Sequence, residues 1–165
     1  MATRIYFPST GNPDVTPSTW VFATQINPIT LKALTAKINS AMASQAQATG
    51  TTSPTFRAAL RYVIGPLNAQ TIAGTANLCL RASENNAGAN ATLAMAIKII
   101  QPDGTDRSTL LGVTASDSAS SPYEMTTTLS TRRCYTSAEA RPPTLTSQDA
   151  TAGDYLVIEI GTRKR

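Results

Sequence analysis

The stretch that decides the fold is residues 152–161, Ala152-Gly-Asp-Tyr-Leu-Val-Ile-Glu-Ile-Gly161. Its Gly-Asp pair predicts a turn, and the residues that follow alternate in polarity with period two, as in a strand. The apolar face carries Leu156, Ile158 and Ile160, and the opposite face carries Tyr155, Val157 and Glu159. A strand with one apolar and one more polar face is typical of antiparallel sheets. We therefore expect the first face on a core and the second partly in water.

The same alternation recurs along the chain. Strands are predicted at 19–26, 56–64, 72–80, 93–99, 109–115, 123–131, 144–147 and 155–160. Turn signals such as Gly65-Pro66 and Pro102-Asp-Gly104 separate them. About eight strands with turns every ~8 to 12 residues predict a mainly β protein, an antiparallel β-sandwich or jelly roll.

One segment is ambiguous between helix and strand. Apolar residues recur at helical spacing behind Asn27-Pro28, namely Leu31, Leu34, Ile38 and Met42. This spacing predicts at most one short helix, over residues 29–43. The Thr, Ile and Asn content equally permits an irregular strand with a turn at 37–40, so both interpretations stay open.

The 165 residues have the length of one domain. Residues 1–18 contain Pro8, Pro13 and Pro17, a spacing that predicts an extended N-terminal arm, followed by a sandwich domain over 19–161 and a basic C-terminal tail over 162–165. The tip of the arm carries Arg4, Ile5, Tyr6 and Phe7. These residues are expected either to bind a neighbouring subunit or to cover an edge of their own domain.

The residue types present argue against an enzyme. The chain contains no histidine, which removes the commonest general base and the commonest zinc ligand. Asp103, Asp117 and Asp149 lie in turn-like contexts, and Glu159 is expected to point outward from its strand. We predict no catalytic residues, no metal site and no cofactor; a glycoside-active carboxylate pair is the enzyme hypothesis that remains to be tested.

Charge and cysteine content bound the partners. Charged residues make up only 15% of the chain and its net charge is +4, so part of its surface is expected to be covered by neighbours. Basic residues that could contact phosphates or an acidic partner are Arg132, Arg133, Arg163, Lys164 and Arg165. A solvated turn and a frayed terminus are the favoured explanation of these residues, and we predict neither specific nucleic-acid binding nor membrane insertion. Cys79, on a polar face, and Cys134 are expected to be free thiols.

Four stretches together resemble a known group of proteins. They are Ala2-Thr-Arg-Ile-Tyr-Phe-Pro8, Pro66-Leu-Asn-Ala-Gln-Thr-Ile-Ala-Gly-Thr75, Thr109-Leu-Leu-Gly-Val-Thr114 and Gly153-Asp-Tyr-Leu-Val-Ile-Glu-Ile-Gly161. In these stretches the chain resembles small β-sandwich or jelly-roll structural proteins of tailed bacteriophages. The resemblance implies a place in the virion, in many copies, and transfers no functional residue.

The resulting expectation is a non-enzymatic capsid cement or decoration protein. It would bind other virion proteins through its arm and a sheet face, and would form a homo-oligomer within a symmetric assembly. A neck, tail or baseplate protein belongs to the same class. The alternative from another class is a receptor- or glycan-binding sandwich at the tail tip, with stacking surfaces from Trp20, Tyr62, Tyr123 and Tyr135.

Overall fold

The computed structural model describes residues 3–36, 55–84, 91–115, 125, 127–128, 132–134 and 142–164. For residues 55 and 132–134 it describes the backbone alone. Several sequence-based predictions lie outside the described residues: those on 37–43, on most of the strand at 123–131, and on Asp117, Tyr123, Tyr135 and Arg165.

The described residues contain strands and no helix. The strands are β1 (Gln25–Lys32), β2 (Thr55–Ile64), β3 (Gln70–Thr75), β4 (Cys79–Arg81), β5 (Ala91–Ile100), β6 (Asp106–Ala115), β7 (Arg132–Cys134), β8 (Thr144–Ala150) and β9 (Tyr155–Lys164). No helix among these residues is long and apolar enough to cross a membrane. The predicted mainly β class is confirmed.

The largest sheet has five strands in the order β1-β2-β9-β5-β6. Most of the stretch 152–161 lies in its middle strand, β9, which pairs antiparallel with both β2 and β5. β1 departs from the antiparallel prediction, because it pairs parallel with β2. Parallel neighbours need a long crossover, and residues 33–54 are long enough to provide one.

Two small sheets, β3-β8 and β4-β7, form a second layer against one face of the large sheet. Buried residues of the large sheet that line this interface include Leu60, Tyr62, Leu93, Met95, Ile97, Ile99, Ile158 and Ile160. Those facing them from the second layer include Ile72, Leu78, Leu80, Leu145 and Ala150. Burying this apolar surface is the main force that joins the layers, and the arrangement is the predicted sandwich.

The structure settles or changes three of the segments that local periodicity described. Of the two interpretations left open for 29–43, the structure has the strand over the described part, since residues 29–32 belong to β1 and 33–36 are not helical. Pairing with β2 outweighs the weak helical preference of this segment. The strand predicted at 19–26 begins only at Gln25, and the strand at 72–80 is split into β3 and β4.

The hairpin between β5 and β6 forms where Pro102-Asp-Gly104 predicts it. Asp103 Oδ1 accepts hydrogen bonds from the Thr105 N–H, at 2.9 Å, and hydroxyl, at 2.6 Å. Gly104 has a φ of +87°, a conformation that side chains disfavour. A β-carbon there would also overlap the carbonyl oxygen of Thr16. Gly104 is thus required both for the turn and for the N-terminal segment that crosses it.

Gly104→Ala is expected to lower the free energy of unfolding by about 1 to 3 kcal/mol, because it combines positive-φ strain with a backbone clash. Urea unfolding followed by tryptophan fluorescence measures the change. Gly112→Ala is the matched control, since a β-carbon at Gly112 meets nothing within 4 Å. Equal losses in the two variants would contradict this interpretation of the turn.

Candidate functional site

Residues 3–24, which we call the N-terminal strap, are bound to their own domain along their length. The Tyr6 N–H donates to the Leu34 carbonyl at 2.7 Å and the Leu34 N–H donates back at 3.0 Å. The Lys32 N–H donates to the carbonyl of Gly11, and the Ser18 N–H to that of Gly104, each at 2.9 Å. The strap therefore runs from the β1 side of the large sheet to the β5–β6 hairpin.

The predicted partner-binding tip of the arm lies on the chain's own core. Ile5 and Phe7 are partly buried against the main core, the apolar cluster between the two layers. The centres of the Phe7 and Tyr62 rings are 4.6 Å apart. The Tyr62 hydroxyl donates to the Pro8 carbonyl at 3.2 Å. Arg4 is exposed. Of the two alternatives for this segment, the structure has the intramolecular one: residues 3–18 lie on their own domain.

Beneath the strap lies a group of charged side chains, which we call the buried ionic cluster. Its members are Arg61 on β2, Glu159 on β9, Lys98 on β5 and Asp106 at the start of β6. Arg61, Lys98 and Glu159 are 4%, 1% and 0% exposed, whereas Asp106, with its side chain 46% exposed, lies at the edge of the cluster. The cluster occupies the face of the large sheet opposite the main core, and it is covered by residues 19–22 of the strap.

Glu159 holds the strap through its backbone. Its carboxylate accepts hydrogen bonds from the N–H groups of Val21, at 2.9 Å, and Phe22, at 3.1 Å. The Phe22 side chain is 1% exposed and packs on Ala58, Ala94 and Ala96. The expectation that Glu159 faces water is thus wrong, because the strap covers this face of β9 and small residues on neighbouring strands make room for it.

Lys98 joins the strap to β6. Its ammonium group donates to the carbonyl and hydroxyl of Thr19, each at 2.8 Å, and forms an ion pair with Asp106 at 2.6 Å. The Thr19 hydroxyl donates to the second oxygen of Asp106 at 2.5 Å. Charged hydrogen bonds of this kind are among the stronger ones in proteins, so Thr19 is fixed from two strands.

Arg61 completes the cluster on the β2 side. Its Nη1 donates to the Thr19 carbonyl at 2.9 Å, and its Nε donates to the Thr30 hydroxyl at 3.1 Å. The guanidinium lies 4.1 Å from the centre of the Trp20 ring, which is cation–π distance. One face of the only tryptophan is thereby occupied within the chain.

The electrostatics of the cluster reflect burial opposed by pairing. Burial raises the pKa of Glu159 despite the hydrogen bonds from Phe22 and Val21 and the nearby charges of Lys98 and Arg61. Burial likewise lowers the pKa of Arg61, against the charges of Glu159 and Asp106. For Asp106, burial is outweighed by hydrogen bonds from Lys98 and Thr19, so its pKa lies below the usual value of 3.8.

The Asp106 interaction predicts a pH dependence of stability. A carboxyl whose pKa is lower in the folded state binds more protons when unfolded, so its contribution is present above its unfolded pKa and is lost as pH falls through its folded pKa. Wild type should therefore exceed Asp106→Asn in urea midpoint at pH 7, and the difference should shrink below about pH 4. A difference that grows on acidification would contradict the assignment.

The contacts of the buried ionic cluster are of the kind that hold the strap on the large sheet. The charges of the cluster face one another and the strap backbone, with short distances throughout. Across the part of the chain that the structure describes, no group of three or more His, Cys, Asp or Glu residues could hold a metal ion. The cluster can stabilise the position of residues 19–22 over the sheet.

The predicted basic contacts that the structure describes lie on strands of two different sheets. Arg163 and Lys164 belong to β9 and pair with β2 and β5, so the tail expected at 162–165 is corrected over 162–164. The Arg163 guanidinium lies 5.4 Å from the centre of the Phe56 ring. The backbones of Arg132 and Arg133 lie on β7, and Arg165 is outside the described residues.

The second layer presents a surface with little charge, which we call the β3–β8 face. Its exposed residues, on the side of these strands away from Ile72 and Leu145, include Thr71, Ala73, Thr75, Thr144, Thr146 and Asp149. Asp149, the single acidic residue among them, accepts a hydrogen bond from the Thr71 hydroxyl at 2.6 Å. Uncharged hydroxyl and amide groups lose less on leaving water than charges do, so covering this surface would cost less than covering a charged one.

The sequence held a signal for the cluster that was missed. Lys98 stands alone among apolar residues in Ala91–Ile100, a strand that is buried along its whole length. A single charge in such a run must find a partner inside the protein. Arg61 and Glu159 likewise stand inside apolar strands, and the three together predict charges meeting on one face.

Comparison with known proteins adds no relative: no family model, no curated protein and no solved structure matches the chain.

Proposed function

We propose that this chain is a non-enzymatic structural protein of a tailed-phage virion, a capsid cement or decoration subunit that binds neighbouring virion proteins through its β3–β8 face. The observation that carries the proposal is the exposed, nearly uncharged surface of β3 and β8, on which Asp149 is already paired with Thr71. The virion assignment rests on the resemblance of the four stretches quoted above. A neck, tail or baseplate position is the same proposal at another place in the particle.

The strap supports a structural role for the whole domain. Its hydrogen bonds to Leu34, Lys32, Gly104 and Glu159 make the first part of the chain a cover of the large sheet. A subunit of a particle must keep one shape in every copy. Because residues 5–7 contact their own domain, we assign the contact with neighbouring virion proteins to the β3–β8 face and not to the arm.

A glycan-binding sandwich at the tail tip is the less favoured alternative. Tyr62 is 0% exposed, so its ring is not available to stack on a sugar. Arg61 occupies one face of Trp20, which leaves at most the other face for a ligand. Two of the four aromatic residues on which that hypothesis relied therefore make contacts within the fold.

The proposal is tested by charging the β3–β8 face. Thr146→Arg is expected to lower incorporation into purified particles about tenfold or more, since each buried unpaired charge costs at least as much as a tenfold loss in affinity. The measurement is quantitative mass spectrometry of the chain in gradient-purified particles. Because Thr146 is exposed, the substitution should leave the melting temperature unchanged, and that measurement shows whether the variant is folded.

Ala152→Arg is the matched control, because it adds the same charge at an exposed turn outside the face. It should leave incorporation unchanged. Wild-type protein absent from the particles would refute the virion proposal itself. Equal incorporation of Thr146→Arg and wild type would refute the assigned face.

A further inference from the structure

The two cysteines of the chain lie directly opposite each other. In the antiparallel pair formed by β4 and β7, the backbone of Cys79 is the partner of that of Cys134. The register continues without a break through Leu80 with Arg133 and Arg81 with Arg132. Because the chain has only two cysteines, this register brings all of its thiol-bearing positions together.

Opposed positions of this kind fit a disulfide. Directly opposite residues of an antiparallel pair have Cα atoms about 4.5 to 5.5 Å apart, and they share one face of the sheet. A disulfide requires Cα atoms about 4.4 to 6.8 Å apart. Either hydrogen-bonding type of pair therefore places the two residues within bridging distance.

The position of β4 favours a disulfide that a small thiol or disulfide in solution can reduce or form. Cys79 is exposed, whereas its neighbour Leu80 is buried in the main core and anchors the strand. An exposed thiol on an anchored strand is accessible to thiol–disulfide exchange and is held near its partner.

We propose that Cys79 and Cys134 form a reversible cross-strand disulfide that fastens β7 to β4. With oxidised glutathione as oxidant, the Cys79 thiolate attacks one glutathione sulfur and displaces one glutathione thiolate. The Cys134 thiolate then attacks the Cys79 sulfur and displaces the second. The two cysteines lose two protons and two electrons, and the glutathione disulfide is reduced to two thiols.

The test is peptide mapping of the full-length protein. After equilibration with oxidised glutathione and alkylation of remaining thiols, the peptides that contain Cys79 and Cys134 are expected to be joined and unalkylated. The oxidised protein should melt about 4 to 16 °C above the reduced form, since a bridge that closes a long loop constrains the unfolded chain. Two alkylated cysteines, or stable glutathione adducts on either of them, would overturn the proposal.

A shifted cysteine tests whether the register is responsible. The double variant Cys79→Ser/Arg81→Cys moves the thiol to a position diagonal to Cys134, about 7 to 8 Å away and outside bridging distance. At a fixed glutathione ratio its oxidised fraction relative to reduced should fall at least about tenfold, equivalent to a shift of about 30 mV. A bridge that forms equally well in this variant would overturn the proposal.

Discussion

Glu159→Ala is expected to lower the free energy of unfolding by about 3 to 5 kcal/mol, as removal of one member of a buried charged group typically does. The substitution leaves the N–H groups of Val21 and Phe22 without their acceptor. It also removes a nearby carboxylate from Arg61 and Lys98, both of which are buried, although Lys98 keeps its ion pair with Asp106. Equilibrium urea unfolding at pH 7 measures the change.

Two variants give this result its meaning. Glu159→Gln keeps an oxygen acceptor for the strap and should lose less than Glu159→Ala. Asp14→Asn removes a carboxylate whose pair with Lys32 is solvent-exposed, so a loss within about 1 kcal/mol is expected. Losses of the same size in Asp14→Asn and Glu159→Ala would contradict the structural role of the buried ionic cluster.

Deletion of residues 1–23 is expected to abolish cooperative folding. It removes Phe22 from its alanine-lined site, exposes the buried ionic cluster to water, and opens Tyr62 where Phe7 and Pro8 now cover it. Loss of one large buried aromatic side chain alone costs about 3 to 5 kcal/mol, and domains are stable by only about 5 to 15. Circular dichroism during heating should show no sharp transition.

The length of the deletion provides its control. Removal of residues 1–4 takes away the exposed Thr3 and Arg4 and none of the strap hydrogen bonds described above. That shorter chain should melt within a few degrees of wild type. If the chain without residues 1–23 also melted there, the strap would be dispensable and the segment would again be a candidate arm.

The sequence predicted the sheets well because period two is a local property. Leu156, Ile158 and Ile160 point to the main core as their spacing indicates, and the hairpin at Asp103-Gly104 forms as its turn chemistry dictates. The strap was harder to place, since proline spacing shows that residues 1–18 are extended but not what they lie on. Glu159 is covered by Val21 and Phe22, which lie 138 and 137 residues before it in the chain, and no local pattern reports such a contact.

The candidate interface and the cysteine pair depended on topology in the same way. Thr71 and Asp149 meet because β3 pairs with β8, and Cys79 meets Cys134 because β4 pairs with β7. Neither pairing joins consecutive strands, and the order of strands within a sheet does not follow from alternation. Composition predicted a weakly charged surface, but only the fold places it on one face.

The central claim is that the strap is an integral part of the domain. Both the internal role of residues 5–7 and the choice of the β3–β8 face depend on it. Native-state hydrogen exchange of the dilute full-length protein tests it most directly. We expect the Val21 and Phe22 amides, which donate to Glu159, to exchange nearly as slowly as amides in the middle of β9. Exchange of these two amides at the rate of an unstructured peptide, while β9 stays protected, would contradict the account.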